Sequence, residues 1–175
     1  MVFEIREACL ADAELIADIS RQTFYDTFAE HNTKADMDMF LNEQFTKEAL
    51  MAEVGKPENI FLLAYDEDNV AGYVRLIDNS THDELPYVST LEIARIYVLT
   101  PYIGKGAGHA LMQACIHKAE RMHKQILWLG VWEHNQRAID FYTKYGFEKF
   151  SDHSFTLGND IQNDWLMKYK VKNQK

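Results

Sequence analysis

One segment constrains the fold more than any other: Leu91-Glu-Ile-Ala-Arg-Ile-Tyr-Val-Leu-Thr-Pro-Tyr-Ile-Gly-Lys-Gly-Ala-Gly-His-Ala-Leu111. A strand-like apolar run gives way to a glycine turn. The chain then restarts with Ala107, Ala110, Leu111, Ala114, Cys115, Ala119 and Met122 on one helical face, which predicts a helix over 105–122. Backbone N–H groups at such a helix start have no intrahelical acceptor, and the helix dipole adds partial positive charge there. An anion such as a phosphate group suits that place.

The rest of the chain supplies partners for this unit. Apolar positions Leu15, Ile16, Ile19, Thr23 and Phe24 predict a helix with Asp12 as its N-cap, followed by short helices over 34–41 and 46–54. Strands are expected over 60–65 and 70–77, joined by the polar turn 66–69, and a loop over 78–86 leads to the strand 90–98. A further strand over 125–131, a helix over 135–145, and an antiparallel pair over 148–155 and 162–169 complete the order. Strand, helix and strand from Leu91 to Val131 should form a right-handed parallel crossover, with ligands at the carboxyl ends of its strands.

With 175 residues, 47% hydrophobic and 13% aromatic, one core suffices, so residues 1–175 are expected to form one domain. No stretch nears the roughly 20 apolar residues of a membrane span, and residues 1–7 read as a strand rather than a signal peptide, so a cytoplasmic protein without a membrane partner is expected. Eighteen basic against 27 acidic residues leave a net charge of −9, which argues against nucleic acid as partner and favours cationic ligands, although solubility alone accounts for acidity. Cys9 and Cys115 form no disulfide framework and read as buried or half-buried thiols. The seven histidines have no metal-ligand spacing, so no metal is expected.

His109, five residues after Gly104, excludes both the G-x-x-x-x-G-K-[ST] phosphate loop and the G-x-G-x-x-G dinucleotide fingerprint. Gly106-Ala-Gly108 instead resembles the [QR]-x-x-G-x-[GA] turn of the Gcn5-related N-acetyltransferases (GNAT), with Ile103 where that turn has Gln or Arg. Leu91 to Val98, Leu127-Trp-Leu-Gly-Val-Trp-Glu-His-Asn135, Ala138 to Phe147 and Gln162-Asn-Asp-Trp-Leu-Met167 fall in the order and spacing of that superfamily. Thr23-Phe-Tyr-Asp-Thr-Phe28 and His153-Ser-Phe155 extend the resemblance over the whole chain, to the PaiA-type spermidine/spermine N-acetyltransferases.

The resemblance implies an α/β (α+β) fold: a mixed, largely antiparallel sheet with a central parallel strand-helix-strand unit and helices on both faces. It implies acetyl-coenzyme A as co-substrate, its pyrophosphate on the backbone of Ile103, Gly104, Lys105, Gly106, Ala107 and Gly108. The pantetheine arm would meet the backbone of Ile96, Tyr97 and Val98 and the side chain of Asn135, with Lys105, Lys144 or Arg137 near the phosphates. It implies acetyl transfer to a small amine, polyamine first, by direct attack in a ternary complex. An aminoglycoside, an amino acid or a protein N-terminus as acceptor, and a coenzyme A-binding regulator of gene expression without turnover, are the alternatives. A homodimer is compatible with such folds.

An alkylamine is protonated at neutral pH, so acetylation needs a base, and the departing thiolate needs a proton. Glu92, which interrupts the apolar strand, is the candidate base, directly or through water; a solvent-facing Glu or one paired with Arg95 accounts for it equally. By the resemblance Tyr142 is the acid and also a coenzyme A contact, while its spacing with Ala138 and Tyr145 equally fits a core aromatic. Asn135 is a natural N-cap whatever else it does. His153 fits either an acceptor site or simple packing, and Glu30, Asp83 and Glu84 fit either a polycation or a solvated surface.

Overall fold

The computed structural model describes residues 1–172. In chain order the elements are β1 (Glu4–Glu7), α1 (Ala13–Phe28), α2 (Lys34–Met39), α3 (Lys47–Glu53), β2 (Asn59–Asp66), β3 (Asn69–Asp78), β4 (Thr90–Val98), α4 (Ala107–Arg121), β5 (Ile126–Trp132), α5 (Gln136–Lys144), β6 (Glu148–Leu157) and β7 (Asp160–Lys170). The strands form one sheet in the order β1-β2-β3-β4-β5-β7-β6. Only β4 and β5 run parallel, with α4 between them, so the expected mixed, largely antiparallel sheet is what forms.

Alternation along the central strands sends side chains to two cores. Leu62, Ala64, Val74, Leu76, Leu91, Ile93, Leu127 and Leu129 face α4 and α5 and meet Leu111, Met112, Cys115 and Ile139. On the other face Phe61, Leu63 and Tyr73 pack against Ile16 and Ile19 of α1. No helix among the described residues is long and apolar enough to cross a membrane.

Two irregularities shape the middle of the sheet. In the β3–β4 ladder Arg75 faces Arg95 but Leu76 faces Ile93, so Ala94 is an extra residue on β4, a β-bulge. On its other side β4 pairs with β5 only from Thr90↔Ile126 to Ile93↔Leu129, and beyond that level the two strands part.

Several boundaries differ from the sequence expectation. Asp12 does not cap α1: it ends a 3-10 turn, Leu10–Asp12, and its carboxylate accepts the Cys9 N–H at 2.8 Å. Cys9 is exposed, not buried, and Cys115 is buried as expected. The helix expected over 34–41 stops at Met39 and widens into a π-turn over Phe40–Gln44, because the Arg21 guanidinium takes the carbonyls of Leu41 and Phe45. A 3-10 turn, Thr100–Tyr102, separates β4 from the glycines, and α4 starts at Ala107, not residue 105, since Gly106 has φ 101°.

Glu53, at the end of α3, ties the helical layer to the sheet. It pairs with Arg95 of β4 and, at 3.3 Å, with Arg75 of β3, while Asn59 accepts from Arg75 at 3.2 Å. Removing the carboxylate leaves two largely buried guanidinium groups uncompensated. Glu53→Ala should therefore cost about 3 kcal/mol in urea unfolding, and a loss below about 1 kcal/mol would show that water reaches the pair.

Candidate active site

Where β4 and β5 part, a cleft of about 620 Å³ opens through the sheet. On the α4/α5 side it is lined by Ile96, Val98, Ile103, Gly104, Gly106, Gly108, Asn135, Ala138, Phe141 and Tyr142. On the α1–α3 side it is walled by Phe24, Phe28, Phe40, Phe45, Trp132 and Phe155, with Tyr97, Gln162 and Asp164. The aromatic wall is continuous: Phe24 stacks on Phe40 with ring centroids 4.4 Å apart, Phe45 lies 5.3 Å from Phe24, and Phe155 meets Phe40 edge-on at 5.9 Å. The π-turn places Phe40 and the adjoining Phe45 there.

The glycine turn forms the mouth on the α4/α5 side. Gly106 is left-handed, a conformation that L side chains rarely adopt. Gly108 differs: a Cβ there would lie 3.7 Å from Val98 and 3.8 Å from Phe141, ordinary contact distances. Packing within the protein therefore does not require glycine at 108. The bare backbone there suits an approaching anion, and the N–H groups of the first turn of α4 supply its donors.

Asn135 caps α5, its Oδ1 accepting the Ala138 N–H at 3.2 Å, and its amide NH2, which that cap does not use, belongs to a side chain on the cleft wall. Tyr142 is buried between Phe141 and Phe147 at centroid distances of 5.6 and 5.9 Å. Burial, and then the buried Cys115 nearby, push its phenol above the ordinary value, so it is protonated at neutral pH. The structure thus brings Ile96, Tyr97, Val98, Ile103, Gly104, Gly106, Gly108, Asn135 and Tyr142 to one cleft.

It does not bring all the expected residues there. Ala107 is fully buried in the core and does not line the cleft. Lys105 is exposed, its Nζ 5.9 Å from the Tyr102 ring centroid, and Lys144 is exposed near the end of α5; neither lines the cleft, whereas Arg137 does. Glu92 shares the α1–α3 face of the sheet with Trp128 and Gly130 but sits outside the lining, where it accepts the Ser80 hydroxyl. Its suggested pairing with Arg95 does not form, because Arg95 is taken by Glu53. Glu30, Asp83 and Glu84 are exposed, and Glu84 accepts from Ser151 at 2.7 Å.

Sequence reasoning missed Asp164 and the aromatic wall. Asp164 stands opposite Trp132 of β5 and His153 of β6. Its carboxyl is pushed up to about 6, first by burial, with His153 opposing and Glu133 adding to the rise. The available signal was the alternation Gln162, Asp164, Leu166, a carboxylate on the inward face of a closing strand. Among the described residues no group of three or more His, Cys, Asp or Glu is arranged to hold a metal ion.

Comparison with known proteins matches residues 14–147 to the model of the acetyltransferase (GNAT) family. An uncharacterized N-acetyltransferase in the pepI 3' region of Lactobacillus delbrueckii subsp. lactis is 40% identical over 156 residues, 89% of each chain. The spermidine N(1)-acetyltransferase of Thermoplasma acidophilum is 25% identical over 158 residues, 85% of this chain and 89% of that one. Among solved structures, the PaiA N-acetyltransferase of Thermoplasma acidophilum in complex with coenzyme A aligns with a TM-score of 0.75 at 21% identity, over 97% of this chain and 99% of that one, which shows the shared fold.

The space beside Gly108 separates binding from folding. Gly108→Ala should keep or slightly raise the melting temperature, since Ala is the better helix former, while the acetyl-coenzyme A dissociation constant rises about tenfold, or ~1.4 kcal/mol. Thermal melting and calorimetric titration would check this. A fall in stability with unchanged affinity would refute it.

Proposed function

This chain belongs to the acetyltransferase (GNAT) family, and from that premise we propose that it acetylates a small amine, polyamine first, by direct attack within a ternary complex. As a member it is an N-acetyltransferase that uses acetyl-coenzyme A. The observation that carries the fuller reading is the parting of β4 from β5. It joins a glycine-turn mouth on one face of the sheet to an aromatic chamber on the other, so two substrates can meet in the gap from opposite sides.

Gly104 and the start of α4, residues 106–108, suit the pyrophosphate through backbone N–H groups, whereas the N–H groups of Ile103 and Lys105 go to the carbonyls of Thr100 and Tyr102; the stretch 96–98, unpaired with β5, suits the amides of the pantetheine arm. When bound, acetyl-coenzyme A supplies an activated acetyl group and a thiolate leaving group. Tyr142, a phenol kept protonated by burial, is the proton donor for that thiolate. Glu92, held by Ser80 below the cleft floor, is the distal end of a water-mediated path that carries the amine's proton away.

Three features support a polyamine acceptor: the net charge of −9, the likeness to a spermidine acetyltransferase, and aromatic faces that attract a cation. The breadth of the aromatic wall also favours a second reading, an amine with an apolar or aryl arm. A panel of spermidine, spermine, arylalkylamines, aminoglycosides and N-terminal peptides, assayed with acetyl-coenzyme A, separates these readings. Absence of spermidine and spermine turnover would remove the polyamine.

Tyr142→Phe keeps the packing and deletes the donor. Turnover should fall about 100-fold or more while acetyl-coenzyme A affinity holds within about twofold. Unchanged turnover would move the acid role elsewhere.

A further inference from the structure

We propose that Asp164 is the carboxylate that receives the acceptor amine, holding its ammonium against the aromatic wall and taking its proton before attack. This rests on the amine-acetyltransferase reading and assigns the first proton acceptor.

Four observations carry it. Among the described residues Asp164 is the only acidic one lining the cleft, where Arg95 and Arg137 are the basic ones beside His109. Arg95 is held by Glu53, whose carboxylate it shares with Arg75. Next to Trp132 on the same face of β5, Gly130 has no side chain, and a Cβ there would meet Leu166 Cδ2 at 3.4 Å and Asp164 Oδ2 at 3.8 Å, so the carboxylate lies beside bare backbone. Finally, among the described residues no hydrogen bond or ion pair to the Asp164 carboxyl forms, its neighbour Asn163 donating instead to Glu133 and Asp152, whereas Glu92 accepts from Ser80 and lies outside the lining. A half-buried carboxylate without a donor, beside Trp132 and facing phenylalanine rings, lacks only a cation.

The step balances simply. One N–H bond of the ammonium breaks, its electron pair stays on nitrogen as the nucleophilic lone pair, and an O–H bond forms on Asp164. The proton then passes to water, and nothing is oxidised or reduced. Burial raises the carboxyl to about 6, closer to working pH than an ordinary aspartate and so a better acceptor. The charges that act on it are those of His153 on β6 and Glu133 just beyond β5, and it acts in turn on Tyr97 of β4; Arg95, His109, Arg137 and Tyr142 line the same cleft. The carboxylate must be ionised to act, so activity should fall as pH drops through about 6.

The test compares Asp164→Asn with Glu92→Gln, using spermidine and a primary alkylamine as acceptors. Asp164→Asn should lower kcat/KM about 100-fold or more, leave acetyl-coenzyme A affinity unchanged, and abolish the acid limb of the pH profile, which Glu92→Gln should retain. A rate within threefold of wild type with the limb intact, or loss of the limb in Glu92→Gln instead, would overturn the proposal while leaving the acetyltransferase reading in place. If the wild-type protein acetylates no amine, that reading fails on its own. Carboxyl 13C NMR of the free protein, assigned by difference with Asp164→Asn or, should that variant misfold, with Asp164→Glu, then decides. A titration midpoint near 6 that drops when spermidine is added supports the assignment, and a midpoint that spermidine leaves unmoved overturns it.

Discussion

The hydrogen-bonded ladder between the parallel strands β4 and β5 stops at Ile93 and Leu129, and the extra residue Ala94 bends β4 at that level. A parallel pair at the centre of a sheet is normally covered and continuous, because each backbone N–H and C=O needs a partner. Here the β5-facing backbone of residues 94–98 has none from β5. On the proposed reading an extended ligand with amides of its own would meet them as an added strand would. A passage through the sheet, rather than a groove on one face, is what this break produces.

The surrounding structure holds that passage open. Gly106 ends the loop from β4 in a left-handed conformation, so α4 begins with its free N–H groups at the mouth. On the opposite face the Arg21 side chain holds the π-turn between α2 and α3, which sets Phe40 and Phe45 against Phe24. Arg95, just beyond the bulge, is held by Glu53, and its guanidinium lies over Phe45, 5.2 Å from the ring centroid. One largely buried carboxylate, Glu53, shared by Arg95 and Arg75, therefore braces both the bent strand and the aromatic wall.

Much of this was readable from the sequence because local rules coincide with the fold. Alternation gave the strands, apolar spacing gave α1, α4 and α5, and Asn135 caps the helix that its position suggested. What escaped depends on tertiary contacts. Nothing local marks Ala94 as a bulge, and nothing in residues 34–45 shows that Arg21, about twenty residues earlier, will claim the carbonyls of Leu41 and Phe45. Asp12 has the right type for an N-cap, yet its carboxylate turns back to Cys9. Glu92 stands out because it interrupts an apolar strand, whereas Asp164 sits in a strand that already contains Gln162 and Asn163 and so attracts no notice. Only the register that sets Asp164 beside Gly130 and opposite Trp132 distinguishes the two carboxylates.

That distinction changes what the acidity of the chain means. A net charge of −9 spread over the surface raises the local concentration of cations and speeds encounter, but beyond a Debye length of about 8 Å it does little to hold one in place. Within the cleft the charged side chains are Arg95, Arg137 and Asp164, so a long polycation gains only one full charge contact inside. Its other ammonium groups would lie at the mouth in water, where pairing contributes little. Discrimination among amines then falls to the fit of the alkyl or aryl arm against Phe24, Phe28, Phe40, Phe45 and Phe155. The proposed proton acceptor on the α1–α3 face and the proposed donor Tyr142 on the α4/α5 face flank the gap left by the broken ladder. On this proposal the ladder's end sets both where the substrates meet and the direction in which the proton moves.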